Sequence, residues 1–250
     1  MEAISLKAQE IFSIGSVSIT NGLLLAMLVS LILIIFAVIF RKKIKLVPGK
    51  VQSVVEMGVE ALLNLMSSVL GSMEAAERYF PLIATIFIFI LASNWLGLLP
   101  GVGSFVLRHG SESAPFLRSP AADLNFTLAL AVMSVLVTNF FGIVVLGTFT
   151  HLKKFLNFSN PLNFFVGILE FLSEISRIIS FSFRLFGNIF AGEVLLSIMF
   201  FLLPYIVPVP FMMLEIFFGM IQAFIFAMLT LVFLSSSITS HEEHAEPATH

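Results

Sequence analysis

The chain has 250 residues, 58% of them apolar and only 11% charged, with 29 Phe and a mean hydropathy of +1.06. Soluble domains hold about 45–50% apolar and about 25% charged residues, which excludes a water-soluble globule. A net charge of -2 excludes a broad basic surface for nucleic acid, and the absence of Cys excludes disulfides, thiolate metal sites and thiol catalysis. About 20 residues cross a bilayer core of about 30 Å, so this length holds roughly five or six spans and no separate soluble catalytic domain.

Residues 1–21 are predicted to be an external N-terminus, followed by a first span over 22–40. That span is uncharged from Gly22 to Phe40 and is closed by Arg41, Lys42, Lys43 and Lys45. Cytoplasmic flanks collect Lys and Arg, so it should run from outside to inside. A signal peptide carries its positive charge ahead of the apolar run; here Glu2, Lys7 and Glu10 precede it, which predicts a retained anchor. Over 49–77, Val51, Val54, Val55, Gly58, Val59, Leu62, Leu63, Met66, Val69, Leu70 and Met73 recur at helical spacing, with Gln52, Glu56, Glu60, Asn64, Ser67 and Ser68 opposite. The pattern predicts one amphipathic helix on the cytoplasmic side. Its acidic polar face is unlike a lipid-headgroup binder, so contact with lipid and packing on another protein segment are equally good accounts.

Residues 79–150 read as a helical hairpin. Its first span runs from Tyr79 to Leu99 and ends in Asn94-Trp95-Leu96-Gly97-Leu98-Leu99-Pro100-Gly101, where an aromatic belt and a turn account for most of the motif. A Gly, Ser and Pro-rich external loop covers 101–122. Asp123, ahead of Asn125 and Thr127, is either an N-cap or a channel-mouth residue. The next span, Leu124 to Thr148, is closed inside by Lys153 and Lys154. A long hairpin follows over 161–238, its two apolar segments meeting at Pro204, Pro208 and Pro210, and 239–250 is a cytoplasmic tail. His241 and His244 are better explained by an exposed polar terminus than by a metal site, and no metal is expected.

The fold class is therefore an all-α polytopic membrane protein in a single membrane domain, with five crossings and one interfacial helix. Arg41, Lys42, Lys43, Lys45, Lys50, Arg78, Lys153 and Lys154 fall in inferred cytoplasmic segments, against Lys7, Arg108 and Arg118 outside. That asymmetry places the N-terminus outside and the C-terminus inside. No internal repeat is visible, which argues against an inverted-repeat transporter.

The segment from Asn163 to Phe201 carries Glu170, Glu174, Arg177, Arg184 and Glu193, and its partner carries Glu215 and Gln222. A charge at mid-bilayer costs at least ~2.5–3.5 kcal/mol on insertion scales, so such residues face protein or water. At about 100° per residue, and with Arg184 as zero, Arg177, Glu170, Asn188, Ser173, Ala191, Ser180 and Gly187 all lie within roughly 60° of it. One face of this helix is thus polar and small, which lets a partner helix approach closely. Phe181, Phe183 and Phe190 lie in part on the opposite face with Glu193, so Arg184 and Glu193 should meet different surroundings. An antiparallel hairpin brings Glu193 and Glu215 to similar depth on the outer side and Arg184 nearer to Gln222. Acids reached from one aqueous side, with a permanent cation deeper in, describe a blocked half-channel. An ion pair inside the bundle explains Glu174 and Arg177 equally well; Arg184 has no carboxylate at i±3 or i±4.

Ser182-Phe183-Arg184-Leu185-Phe186-Gly187-Asn188-Ile189-Phe190-Ala191-Gly192-Glu193 closely resembles subunit a of the F-type ATP synthase, the stator channel beside a rotating ring of c subunits. The resemblance extends in order to Ile221-Gln222-Ala223-Phe224-Ile225-Phe226, to Asn94 through Pro100 and to Asp123-Leu124-Asn125-Phe126-Thr127. It implies that Arg184 faces the carboxylate of each ring subunit, that Asn188, Glu193, Glu215 and Gln222 belong to the outer access path and ring contact, and that Glu170 lies on the cytoplasmic exit side. Helix geometry adds Ser173 and Ser180, which with Arg177, Gly187 and Ala191 would form the face packed on the ring. Where some members of the family have His, this chain has Glu215. A proton path is the expectation, and an acid-rich path leaves sodium open.

The partners implied are the ring of c subunits, peripheral-stalk b subunits, membrane lipids and protons, with no cofactor and no nucleic acid. The chain would not be an enzyme by itself but a subunit of a proton-transporting ATP synthase, expected in a bacterial inner membrane because no transit peptide is seen. A free-standing channel or secondary transporter, and a membrane scaffold with buried ion pairs, are the competing readings. The small face beside Arg184 favours a moving helical partner over both.

Overall fold

The computed structural model describes residues 10–14, 17–99, 102, 106–109, 112–148, 161–204 and 206–238. The inside flank of Lys153 and Lys154, the Pro100-Gly101 turn, Lys7 and the histidine-bearing tail lie outside these residues. The architecture is helical: α1 (Asn21–Lys43), α2 (Lys50–Leu70), α3 (Met73–Gly97), α4 (Leu124–Leu146), α5 (Pro161–Leu202) and α6 (Pro208–Ile238). All six are long and apolar enough to cross a membrane, α2 being the least hydropathic of them. Among the described residues two short antiparallel ribbons, which the hydropathy pattern did not announce, lie ahead of α1 and between α3 and α4: β1 (Glu10–Ile14) with β2 (Val17–Thr20), and β3 (Val106–His109) with β4 (Glu112–Pro115).

Each helix starts and stops for a local reason. The Thr20 hydroxyl accepts a hydrogen bond from the Leu23 N–H at 3.3 Å and opens α1, and Arg41, Lys42 and Lys43 occupy its last turn, where cations oppose the helix dipole. Gln52 closes the α1–α2 corner by accepting from the Lys45 N–H at 3.1 Å and donating to the Lys45 carbonyl at 2.9 Å. The single amphipathic helix expected over 49–77 is in fact interrupted. Gly71 adopts φ 78°, its N–H bonds to the Ser67 carbonyl, and the Ser72 hydroxyl then caps α3 by accepting from Ala75 N–H. Only glycine enters that left-handed conformation cheaply, so a C-cap followed at once by an N-cap breaks a pattern that hydrophobic spacing alone carries through.

Two clusters form the core. In one, Ile90 of α3, Ala131 of α4, Phe181, Leu185 and Ile189 of α5, and Ala223 and Phe226 of α6 enclose Ala121 and Ala122 of a 3-10 turn, Pro120–Ala122. In the other, Met66 of α2 and Ala76, Tyr79 and Ile83 of α3 pack on Ala227, Leu231 and Leu234 of α6. Polar side chains tie the helices where lipid offers no alternative partner. Ser134 and Thr230 hydroxyls are 2.8 Å apart, Thr127 and Ser182 hydroxyls 3.1 Å, and Ser235 donates to the Val69 carbonyl at 3.4 Å. Asn94 and Trp95, expected as part of an aromatic belt and turn, reach instead to α6: Asn94 Nδ2 donates to the Gly219 carbonyl and Trp95 Nε1 to the Ile216 carbonyl, each at 3.1 Å. Gly219 leaves the room for this, since a Cβ there would stand 3.2 Å from the Asn94 Cβ.

Candidate functional site

The site is built on α5 and α6. Buried Phe181, Leu185 and Ile189, at i, i+4 and i+8, fix the azimuth of α5 by packing inward. Phe181 meets the rings of Phe226 and Phe233 with centroids 5.0 and 5.3 Å apart. Phe183, grouped with Phe181 by the wheel, is instead 56% exposed beside Arg184. This anchoring turns Ser180, Arg184, Gly187 and Ala191 outward, all of them exposed, with Ser173 and Asn188 half-buried. Arg184 Nη2 donates to Ser180 Oγ at 3.4 Å, and among the described residues no carboxylate pairs with it. A Cβ added at Gly187 meets nothing within 4 Å, so the face is open at its centre.

Arg177 is not part of that open strip. Its Nη1 pairs with Glu174 Oε1 at 3.0 Å and its guanidinium lies 4.3 Å from the centroid of Phe233, while Asn139 Nδ2 approaches Glu174 Oε2 at 3.4 Å. The ion pair inside the bundle is thus the arrangement adopted, and Arg177 turns toward α6. Glu170 is half-buried near the start of α5.

The carboxylates Glu193 and Glu215 sit away from the open strip, in unlike settings. Glu193 receives the guanidinium of Arg118: Nε donates to Oε1 at 3.0 Å and to Oε2 at 3.1 Å, and Nη2 donates to Oε2 at 2.9 Å. Glu215 is 6% exposed, its Oε1 is buried without a hydrogen-bond partner among the described residues, and its carboxylate occupies the space where residue 192 would carry a side chain. Gly192 is therefore the only residue type that leaves Glu215 where it is. Gln222, one heptad further along α6, is buried as well. Asp123 is the N-cap of α4, its Oδ1 accepting from the Asn125 N–H at 2.9 Å, and it is 7% exposed.

Arg118 and Gly192 escaped the reading of the sequence. The first stood in a polar loop, where a basic residue looks like an ordinary flank charge, and no spacing rule links positions 75 apart. Gly192 could have been found from the same helical hairpin that pairs Glu193 with Glu215 in depth.

Long capped helices, a core closed by hydroxyl and amide bridges, and six helices long and apolar enough to cross a membrane among the described residues define an integral polytopic membrane protein. Sequence comparison makes this specific. The model of the family described as ATP synthase A chain matches residues 23–235. The subunit a of the ATP synthase of Campylobacter fetus subsp. fetus is 34% identical over 224 residues, covering 90% of this chain and 92% of that one. That of Campylobacter concisus is 38% identical over 221 residues (87% and 89%), and that of Helicobacter pylori strain Shi470 is 38% identical over 207 residues (81% and 83%). The chain belongs to the ATP synthase A chain family.

Proposed function

We propose that the chain is the proton-translocating stator subunit of an ATP synthase membrane sector, forming two offset half-channels beside a rotating ring of c subunits. The observation that carries this is Arg184: a cation on an exposed strip of small residues, without a carboxylate partner among the described residues, in a helix whose other charges are half-buried or paired. In lipid such a charge demands an external polar partner. A carboxylate on a passing ring helix supplies one, and Gly187 and Ala191 let that helix come close.

The guanidinium stays charged at every accessible pH, so it holds each deprotonated ring carboxylate and blocks direct leakage between the half-channels. At ~4 Å and an effective dielectric near 20 the attraction is about 4 kcal/mol. The membrane potential contributes roughly 2.3 kcal/mol per charge per 100 mV, the same order, so the pair forms and yields within one step of rotation. Glu193, Glu215, Asn188 and Gln222 line the outer path with Asp123 at its mouth, and Glu170 stands on the exit side. The N-terminus lies outside and the C-terminus in the cytoplasm of a bacterial inner membrane, with peripheral-stalk b subunits and lipids as the remaining neighbours.

The test is Arg184→Ala in the assembled complex, with ring retention checked on the purified complex. Proton-driven ATP synthesis should be abolished while the ring still co-purifies. Synthesis near the wild-type rate would overturn the proposal.

A further inference from the structure

The Arg118–Glu193 pair has features that an ordinary loop charge lacks. Arg118 is 7% exposed although it precedes a membrane helix, and it stands two residues before the 3-10 turn whose Ala121 and Ala122 are at 1% and 0% exposure in the core. Its backbone is therefore held by packing. Its guanidinium engages both oxygens of Glu193 through three contacts of 2.9 to 3.1 Å and lies 5.9 Å from the ring centroid of Phe190, one turn earlier on α5. Burying the Arg118 side chain carries a desolvation cost that its geometry with Glu193, itself 34% exposed, offsets, whereas a flank charge could stay in water at no cost. The other acid, Glu215, has Oε1 buried without a partner among the described residues. The Glu215 carboxylate lies against Gly192, Glu193 is the next residue along α5, and among the described residues only Glu193 of the two is paired with a fixed cation.

From this we infer that Arg118 is a positioning residue of the outer proton path: it fixes the carboxylate of Glu193 in place, and Glu215 is the acid left free to take up and pass on the proton. The inference rests on the proposed stator function. Because a guanidinium does not lose its proton, the clamp is permanent and Glu193 serves as a stationary anion at the edge of the path. Arg118 acts through Glu193 and does not itself carry the proton.

The experiment is a double-substitution cycle in the full complex with Arg118→Gln, Glu193→Gln and the two combined. Proton conduction is measured in membranes stripped of the catalytic sector and scaled to the amount of assembled ring. Charge-assisted hydrogen bonds of this kind correspond to roughly a tenfold change or more when one partner is removed. Each single change should therefore slow conduction by roughly that factor, and the double should be no slower than the slower single. A double equal to the product of the two singles, or Arg118→Gln within roughly twofold of wild type, would overturn the inference. Arg118→Lys, which keeps the charge and loses the fork, covers the case in which Arg118→Gln does not assemble: it should assemble and conduct at an intermediate rate, and conduction equal to wild type would also overturn the inference. Arg184→Ala in parallel separates the two claims. Retained ATP synthesis there defeats the stator function itself, whereas lost synthesis with a multiplicative Arg118–Glu193 cycle defeats only this inference.

Discussion

Replacing Gly192 by Ala sets two opposing effects against each other. In an open helix the change is favourable by up to about 1 kcal/mol, because Ala loses less backbone entropy than Gly. At position 192, however, the new Cβ would overlap Oε1, Oε2 and Cδ of Glu215, which is itself 6% exposed with nowhere to retreat. Overpacking of this kind costs about 1–3 kcal/mol, so the net effect is destabilising by about 0–3 kcal/mol. The displaced carboxylate also loses its place in the outer path, and each ~1.4 kcal/mol added to a transfer barrier slows it about tenfold. The assay is the thermal dissociation midpoint of the purified complex together with proton conduction in stripped membranes. Gly58→Ala is the control, since a Cβ there meets nothing within 4 Å on the exposed side of α2. Gly192→Ala should fall below that control in stability and conduct more slowly. Adding Glu215→Ser should restore stability by freeing the space, but not conduction. If Gly192→Ala matched Gly58→Ala in both measurements, the carboxylate is not held against residue 192.

Two further outcomes follow from geometry. Glu174→Ala should lower the dissociation midpoint strongly, by the equivalent of about 3–5 kcal/mol, because it strands the Arg177 guanidinium at 19% exposure; the joint change Glu174→Leu and Arg177→Leu should cost far less. Asp123→Asn should leave stability unchanged, since Asn caps a helix as well as Asp, yet slow proton conduction if the carboxylate stands at the path mouth; Asp123→Ala should in addition lose about 1 kcal/mol of stability.

The sequence pattern exposed the helices well because lipid imposes long uncharged runs, and the runs beginning near Gly22, Leu124 and Pro161 coincide with α1, α4 and α5 within a few residues. It exposed the open strip too, since Ser180, Arg184, Gly187 and Ala191 follow from helical spacing alone. Spacing could not tell that Arg177, only about 20° from Arg184 on an ideal wheel, would swing to Glu174 and Phe233, because side-chain direction is decided by neighbours. The break at Gly71 was hidden beneath a continuous apolar stripe, and the bonds from Asn94 and Trp95 to α6 join positions 125 and 121 apart. Long-range polar contacts of that kind carry no periodic trace.

The placement of α6 bears on how the chain is made. It touches both core clusters, supplies the carbonyls that satisfy Asn94 and Trp95, and carries Thr230 opposite Ser134. Yet its 31 residues leave the ribosome after α1 to α5. Until they enter the bilayer, the faces of α2, α3, α4 and α5 that pack on α6 lack that cover, and the Asn94 amide and Trp95 indole donors have no acceptor from α6. The nascent protein is thus an open cradle until α6 closes it.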